Sequence, residues 1–313
     1  MSKMEFVTTI EMKDGVLNGP FRLPRQMLAV QEYDGHASIH DDATAQKLGF
    51  KGGTIEGPTH FSQFAPLGYA IWGDRWLSHG CISAHYRAPV FEGEAVQAFL
   101  RRSGDTSAEI WMLRDDGSEI LRGTASVGSD FGMTALDKRL SQLSPLADPV
   151  ILADVKVGTR LARTAVRMDP DQHMGDLYPF SLNQKLEMIT ETSSYYTART
   201  SPLGRAIVPM EMISVLMQYT SGNASFHVRG PAVGLFADQE IRLLDGPVFV
   251  GEAYEVEREV VFLSGSRRTE SLWVRSTLYS AGTNHRIASM LLNLASMKET
   301  YEPYQKEHAS LYS

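Results

Sequence analysis

One short segment occurs twice in this chain, once in each half. The copy that begins at Pro89 reads Pro-Val-Phe-Glu-Gly-Glu-Ala, and the copy that begins at Pro247 reads Pro-Val-Phe-Val-Gly-Glu-Ala. The copies agree at six of seven positions and lie 158 residues apart (247 − 89) in a chain of 313 residues. A repeat at about half the chain length indicates two similar units joined in one polypeptide.

The order of predicted elements around the two copies is the same, which supports a duplication. In each half a Gly-rich turn leads into an amphipathic helix, at residues 59–72 and within 204–219. Short runs rich in β-forming residues follow and are separated by Gly or Asp turns, as in an antiparallel meander. The predicted strands are 95–100, 109–114, 120–127, 254–262, 271–280 and 286–294, with a further strand at 27–31.

We therefore expect an α+β fold made of two units, over residues 1–137 and 156–313. A connector is expected at 138–155, where Pro145 and Pro149 interrupt any periodic pattern. A sheet wrapped around one helix leaves an edge strand unpaired, and pairing the two units edge to edge would satisfy that strand. A functional groove is expected where the units meet.

The composition narrows the classes of partner. The formal net charge is −7 and no block of Lys or Arg occurs, which argues against a nucleic-acid or anionic-membrane partner. The single cysteine, Cys81, cannot form an intrachain disulfide and is expected to pack in the core. The N-terminal residues lack the apolar segment of a signal peptide, and no apolar run approaches the roughly 18 residues of a membrane span. A soluble cytoplasmic protein is expected.

Residues 33–57 hold the highest density of groups that can transfer protons. This segment contains Asp34, His36, His40, Asp41 and Asp42, ahead of a short amphipathic stretch and a Gly-rich turn. Histidine titrates near neutral pH, so it can act as a general acid or base beside a carboxylate. The segment is therefore the first candidate for a catalytic site.

Two helices are predicted after these histidines. Ser38 and Asp41 have the spacing of a capping box, so a short helix should start near residue 40 and end at Gly49. A longer helix follows, with Pro58 in its first turn and a kink expected at Pro66. Its first backbone N–H groups have no partner within the helix and can stabilise an oxyanion.

The segment resembles the MaoC-like hot-dog hydratases and dehydratases. The resemblance rests on His40-Asp-Asp42, on Gly49-Phe50, on Ile55-Glu-Gly57 and on the repeated segment at Pro89, and it covers much of residues 27–128. It implies a tandem, or double, hot-dog fold, in which each of two long helices is wrapped by an antiparallel sheet. It also implies reversible addition of water across the 2,3 double bond of an acyl thioester, with coenzyme A or a carrier phosphopantetheine as the handle and no cofactor.

The same resemblance assigns roles to single residues. His40, with a nearby aspartate, would activate water, and the Gly57 amide would polarise the thioester carbonyl. The family aspartate falls on Gly35 here, so either Asp34 takes its role, His36 substitutes for it, or hydration is altered or lost. Residues His36, Asp42, Lys51 and Arg87 are further candidates for substrate contact. Solvated surface charge is the alternative role for Lys51 and Arg87, and a helix-start carboxylate the alternative for Asp42.

The second half is expected to lack a catalytic histidine. Aligning Ile207 with Ile55 places Thr192 where the second half would need the counterpart of His40. We therefore expect one site per chain, with the second half shaping the acyl pocket.

Three alternatives stay open from the sequence. The first is a hot-dog thioesterase in which Glu56 activates water against the carbonyl, and the second is a degenerate acyl-binding or partner subunit. In the third, His36, His40 and the nearby aspartates bind a metal, but neither His-Glu-x-x-His nor a Cys-x-x-Cys pair occurs, so no metal is expected. A homodimer is compatible with the sequence. His60 is interpreted as a residue without a special functional role.

Overall fold

In the part of the chain that the structure describes, eleven antiparallel strands form one continuous sheet. The computed structural model describes residues 5–31, 38–128, 132–223 and 226–312. The strands are β1 (Glu11–Lys13), β2 (Val16–Asn18), β3 (Gly80–Tyr86), β4 (Val96–Arg102), β5 (Ser107–Arg114), β6 (Glu119–Val127), β7 (Arg160–Val166), β8 (Gly234–Leu243), β9 (Tyr254–Gly265), β10 (Thr269–Ser280) and β11 (Arg286–Met297). Their order across the sheet is β1-β2-β4-β5-β6-β3-β8-β11-β10-β9-β7.

The helices are short, and two of them form the centre of the core. The α-helices are α1 (Asp42–Lys47), α2 (Ala65–Trp72), α3 (Asp74–His79), α4 (Ala135–Leu140), α5 (Leu182–Met188), α6 (Met210–Gln218) and α7 (Tyr304–Tyr312). The 3₁₀ helices are Gly57–Phe64, Ser194–Tyr196, Ser221–Asn223 and Lys298–Thr300. The 3₁₀ helix Gly57–Phe64 and helix α6 pack against each other within the main hydrophobic core.

The two halves meet through main-chain pairing of β3 with β8, which runs from Cys81 opposite Arg242 to His85 opposite Asp238. The predicted α+β class, the six strands from 95–100 to 286–294 and the edge-to-edge pairing of the units are confirmed. Cys81 is fully buried, and burial raises the pKa of its thiol, as expected for a core cysteine. The unit bounds themselves stay a prediction.

The predicted strand at 27–31 is wrong. Its backbone forms a turn, in which the Gln31 N–H donates to the Leu28 carbonyl, and the Leu28 N–H donates to the side chain of Gln26. The strands of this region are β1 and β2, which are joined by Asp14 and Gly15 with φ of 51° and 77°. Positive φ at both turn residues is typical of a tight hairpin, and the Asp-Gly pair favours it.

The first central helix changes its winding near Pro66. Residues Gly57–Phe64 form a 3₁₀ helix that continues as α2, and the Ala65 N–H donates to the Ser62 carbonyl. Because Pro66 has no N–H, it cannot extend that ladder, and the expected kink takes the form of a change of helix type one residue earlier. The helix then ends at Gly73, whose φ is 55°.

The predicted connector packs against the second half. Val150, Ile151 and Leu152 are fully buried, and the Glu270 carboxylate accepts hydrogen bonds of 2.9 Å from the N–H groups of Val150 and Leu152. Those two N–H groups would otherwise be buried without partners, which costs stability.

The close contact of β6 with β3 generates a stability prediction. A Cβ at Gly123 would lie 1.9 Å from the Ser83 carbonyl oxygen, whereas a Cβ at Gly19 would meet no atom within 4 Å. Gly123→Ala should lower the free energy of unfolding by about 2 kcal/mol, because the strands must separate locally. Gly19→Ala is the matched control. Equal urea midpoints for the two variants would contradict the packing described here.

Candidate active site

A cavity of about 350 Å³ lies between the two halves. The first half contributes residues between Leu28 and Val90, and the second half contributes Tyr178 and the segment Gly234 to Ala237 from the start of β8. Among the sequence candidates, His40, Gly57 and Arg87 line this cavity. Most other wall residues are apolar, as in pockets that bind organic ligands.

The His40 ring is held in one tautomer. Its Nδ1 lies 2.6 Å from the Thr54 carbonyl oxygen, and since a carbonyl only accepts, Nδ1 carries the hydrogen and Nε2 is left as the acceptor. Burial lowers the pKa of His40, against smaller raising effects of the Thr54 carbonyl and the Glu56 charge. The ring is therefore neutral at pH 7, with a lone pair available for a proton.

Short contacts fix the loop that carries this histidine. The side-chain amide of Gln26 donates to the carbonyls of His40 and Thr54, at 3.1 and 2.6 Å. A Cβ at Gly53 would lie 2.3 Å from the His40 carbonyl oxygen, so only glycine allows this approach. The Gly53 N–H donates to the Asp42 carboxylate at 2.7 Å. Asp42 thus stabilises the loop, and its exposed side chain does not line the cavity.

The predicted capping box at Ser38 is wrong. Helix α1 is capped by Asp41, which accepts a 2.8 Å hydrogen bond from the Thr44 N–H. The Ser38 hydroxyl instead accepts from the His40 N–H at 3.1 Å and donates to Gln31 at 2.8 Å. The helix therefore starts two residues later than predicted, because an aspartate inside the predicted span provides the cap.

Gly57 begins the 3₁₀ helix at the cavity wall. The Tyr86 ring covers its Cα so closely that a Cβ would lie 2.6 Å from a ring carbon, and the Tyr86 hydroxyl donates to Gln239 at 2.9 Å. No acceptor in the described ranges takes the Gly57 N–H. A free amide at a helix start can receive a hydrogen-bond acceptor from a ligand.

A buried ion pair lies beside His40. Glu56 lines the cavity, and its Oε1 accepts from the Lys185 ammonium at 2.7 Å and from the Thr59 hydroxyl at 3.1 Å. Burial would raise the pKa of Glu56, but the Lys185 charge outweighs it and the net pKa is lowered. Burial would lower the pKa of Lys185, and the charges of Glu211 and Glu56 outweigh that, so its net pKa is raised. The pair is charged at neutral pH.

Glu211 is the third charged group of this cluster. It lies 3.9 Å from the Lys185 ammonium and is 2 % exposed. Burial raises the pKa of Glu211 to about 7, although Lys185 lowers it in part. One lysine therefore faces two carboxyl groups, and Glu211 carries a proton for part of the time near neutral pH.

The second half carries a closed counterpart of the cavity. Ile55 donates to Val90 and Val208 donates to Val248, both at 2.8 Å, so Val208 is the structural counterpart of Ile55. The offset is 153 residues (208 − 55), one more than the sequence alignment used, and it places Ser193 rather than Thr192 opposite His40. Only about 20 Å³ remains there. Pro209, Met210 and Ile213 occupy the positions of Glu56, Gly57 and His60.

The remaining sequence candidates divide into three groups. Asp34 and His36 lie outside the described residues. Lys51 does not line the cavity, because its ammonium pairs with Glu94 at 2.5 Å and lies 4.9 Å from the centre of the Phe91 ring. Arg87 lines the cavity mouth and pairs with Glu119 at 2.6 Å while half exposed, so it can reach either solvent or a ligand.

Lys185 is a residue of the site that is not among the candidates expected from the sequence. A Ser181–Gln184 capping box starts α5 and fixes the register of that helix. Lys185 then lies between Leu182 and Ile189 on the apolar stripe, at spacings of three and four residues. A charged residue on such a stripe is a signal for a buried ion pair.

The comparisons with known proteins bear on the fold. No protein-family model matches the chain, and no curated protein matches its sequence. A solved structure from Mycobacterium tuberculosis is described as a conserved hypothetical protein with a double hot-dog fold, essential for survival during infection. It has a TM-score of 0.50 and 13% identity, covering 82% of this chain and 86% of its own. This protein has the double hot-dog fold.

Two other solved structures are similar to this chain over most of its length. A proposed MaoC domain protein dehydratase from Chloroflexus aurantiacus J-10-fl has a TM-score of 0.49 and 14% identity, over 81% of this chain and 85% of its own. A proposed thioesterase II from Thermobifida fusca YX has a TM-score of 0.41 and 15% identity, over 92% and 95%. At 13 to 15% identity the likeness to these solved structures concerns the fold alone.

Two further findings concern only the described parts of the chain. None of the helices there has the length and apolar character needed to cross a bilayer. Nor do three or more His, Cys, Asp or Glu side chains of those parts form a group that could hold a metal ion.

The raised pKa of Glu211 generates a prediction. A raised carboxyl pKa contributes stability that is fully present below the unfolded pKa and is lost as the pH rises through the folded value, here about 7. The stability of the wild type relative to Glu211→Gln should therefore fall by on the order of 1 kcal/mol between about pH 6 and about pH 8.

The difference between the two proteins is the quantity to measure, by urea denaturation at each pH. Burial lowers the pKa of both His40 and His60, so their contributions change in the opposite direction with pH and cancel in the difference. Glu187→Gln, at an exposed position on the same helix as Lys185, is the control. A Glu211→Gln difference that is constant with pH would contradict the assignment.

Proposed function

We propose that the protein is a hydro-lyase that adds or removes water across the 2,3 double bond of an acyl thioester. The observation that carries the proposal is the placement of a neutral His40, with Nε2 as an acceptor, in the same cavity as the Gly57 amide. A base and an oxyanion donor on one cavity are the two groups that this reaction needs.

In the hydration direction, His40 and a carboxylate would hold the attacking water between them. Nε2 of His40 takes a proton from that water while the oxygen of the water bonds to C3 of the enoyl group. The negative charge moves to the thioester oxygen, where the Gly57 N–H stabilises it. The proton held by His40 then passes to C2, which regenerates the neutral imidazole and gives the 3-hydroxyacyl thioester. Dehydration follows the same steps in reverse.

Glu56 is our choice for the carboxylate. It is a cavity-lining carboxylate held ionised by Lys185, and its charge acts on His40. Asp34, which the resemblance favours, remains a prediction because it lies outside the described residues. The thioester can be carried by coenzyme A or by a carrier phosphopantetheine, and the half-exposed Arg87 on the cavity wall would contact the phosphate of that carrier.

The first test concerns His40. His40→Gln should lower kcat/KM for hydration of a short enoyl-CoA by about a hundred-fold or more, because it removes the base. In the wild type the acid limb of the pH profile should lie below the ordinary histidine value of 6.5, since burial lowers the pKa of His40. His285→Gln, on an exposed surface pair with Asp245, is the control. Unchanged turnover in His40→Gln would reject the assignment.

The second test compares two carboxylates. Glu56→Gln should reduce kcat by at least about ten-fold, whereas Asp34→Asn should have the smaller effect if Glu56 is the working group. Circular dichroism and urea midpoints show whether each variant is folded. A large loss in Asp34→Asn with little change in Glu56→Gln would return the role to the residue that the resemblance favours.

A thioesterase is the second candidate function, because the ionised Glu56 at the helix start could activate water against the carbonyl. The products distinguish the two reactions. Hydration changes the acyl group by the mass of one water and leaves the thioester intact, whereas a thioesterase releases free thiol. A subunit that only binds acyl groups would show ligand-induced stabilisation and neither product.

A further inference from the structure

His60 is a buried imidazole on the wall of the cavity, four residues after Glu56. It is 2 % exposed, and neither ring nitrogen makes a hydrogen bond to any described residue. Its Nδ1 is completely enclosed, so Nε2 is the ring nitrogen that a ligand in the cavity can reach. Because a buried polar group without a partner costs stability, such a group is expected to have a partner that is not part of the chain.

The imidazole is uncharged. Burial and the Lys185 charge lower the pKa of His60 to about 4. The Nε2 of a neutral imidazole donates in one tautomer and accepts in the other, which suits a hydroxyl or a carbonyl. The charged groups that act on it are themselves paired, since Lys185 contacts Glu56 at 2.7 Å and Arg114 contacts Glu94 at 3.0 Å. No spare positive charge among these groups would balance a carboxylate, which makes an acidic substituent a poor fit.

The size of the cavity limits the ligand. A volume of about 350 Å³ lies at the lower end of the range for small-molecule pockets, roughly 300–1,000 Å³. Apolar side chains, including Leu28, Val90 and Phe236, form much of the remaining wall. The cavity therefore suits a short acyl group with one polar position rather than a long hydrocarbon chain.

We propose that His60 hydrogen-bonds an oxygen on the acyl chain beyond the reacting carbons, so that the substrate class is short acyl thioesters bearing a hydroxyl or keto group. This inference rests on the proposed function for the identity of the thioester, and it assigns His60 to substrate selection. The second half provides a natural comparison, because Ile213 occupies the counterpart position beside the closed cavity. An aliphatic side chain is thus compatible with this place in the fold.

The experiment uses the full chain and pairs of short acyl-CoA compounds that differ by one hydroxyl or keto oxygen at C4, C5 or C6. Binding is measured by calorimetry with saturated thioether analogues, and turnover with the corresponding enoyl thioesters. The wild type should favour one oxygenated member by about ten-fold or more. In His60→Ile that ratio should fall to about one. His79→Leu, which alters a histidine outside the cavity, should keep it.

Each outcome supports or contradicts either the role of His60 in substrate selection or the proposed hydro-lyase function. Equal binding of every pair by the wild type would overturn the inference, and so would a preference that survives in His60→Ile. An equal loss for both members of the pair would also overturn it and would place His60 in the catalytic machinery. Absence of water addition to every enoyl thioester, with the binding preference intact, would instead refute the proposed function and leave the selection role standing.

Discussion

Main-chain pairing of β3 with β8 joins the two halves, and the position of the cavity depends on it. The five residue pairs between Cys81 and His85 on one strand and Asp238 and Arg242 on the other make a single sheet from two units. The same strands place Tyr86 against Gly57 and against Gln239, which hydrogen-bonds Ser214 of α6 at 2.7 Å. The start of β8 thereby closes a cavity whose chemistry comes mainly from the first half.

The charged cluster of Lys185, Glu56 and Glu211 is a second link between the halves. Its contribution to stability differs from that of the β3–β8 pairing. Removing charges from water costs several kcal/mol per ion, so a buried pair adds little to stability even when its geometry is good. Removing one partner is far more costly, because the other charge is left buried. The cluster is therefore better explained by what it does for Glu56, which it keeps ionised at the cavity wall, than by stability.

The parts of the fold that follow local rules were predictable from the sequence. The strands from 95–100 to 286–294 carry their own alternation and turn residues, and His40 and Gly57 lie in one continuous segment. The strand predicted at 27–31 is wrong because the Gln26 side chain accepts from the Leu28 N–H, a backbone group that a strand would use for pairing. The apolar stripe around Lys185 indicates a buried charge, but the sequence does not identify its partner, because Glu56 is 129 residues away and only the packing of α5 brings them together.

The one-residue error in aligning the halves has a related cause. Ile55 and Val90 are separated by 35 residues (90 − 55), but their counterparts Val208 and Val248 are separated by 40 (248 − 208). Matching the two halves at Pro89 and Pro247 therefore gives an offset of 158 residues, whereas matching them at Ile55 and Val208 gives 153. The sequence alone does not show where the second half contains the five extra residues. Hydrogen bonds from Ile55 to Val90 and from Val208 to Val248 decide the offset.

The corrected offset explains why the two halves differ. Where the first half has Glu56 and Gly57, the second has Pro209 and Met210, so a side chain fills the space that the glycine leaves open. Met210 also begins α6, and the next residue, Glu211, faces Lys185. Glu211 at the entry of this helix therefore acts, through Lys185, on the cavity of the first half. A duplicated unit that no longer needs its own pocket can supply Lys185 and Glu211 to the pocket of its neighbour.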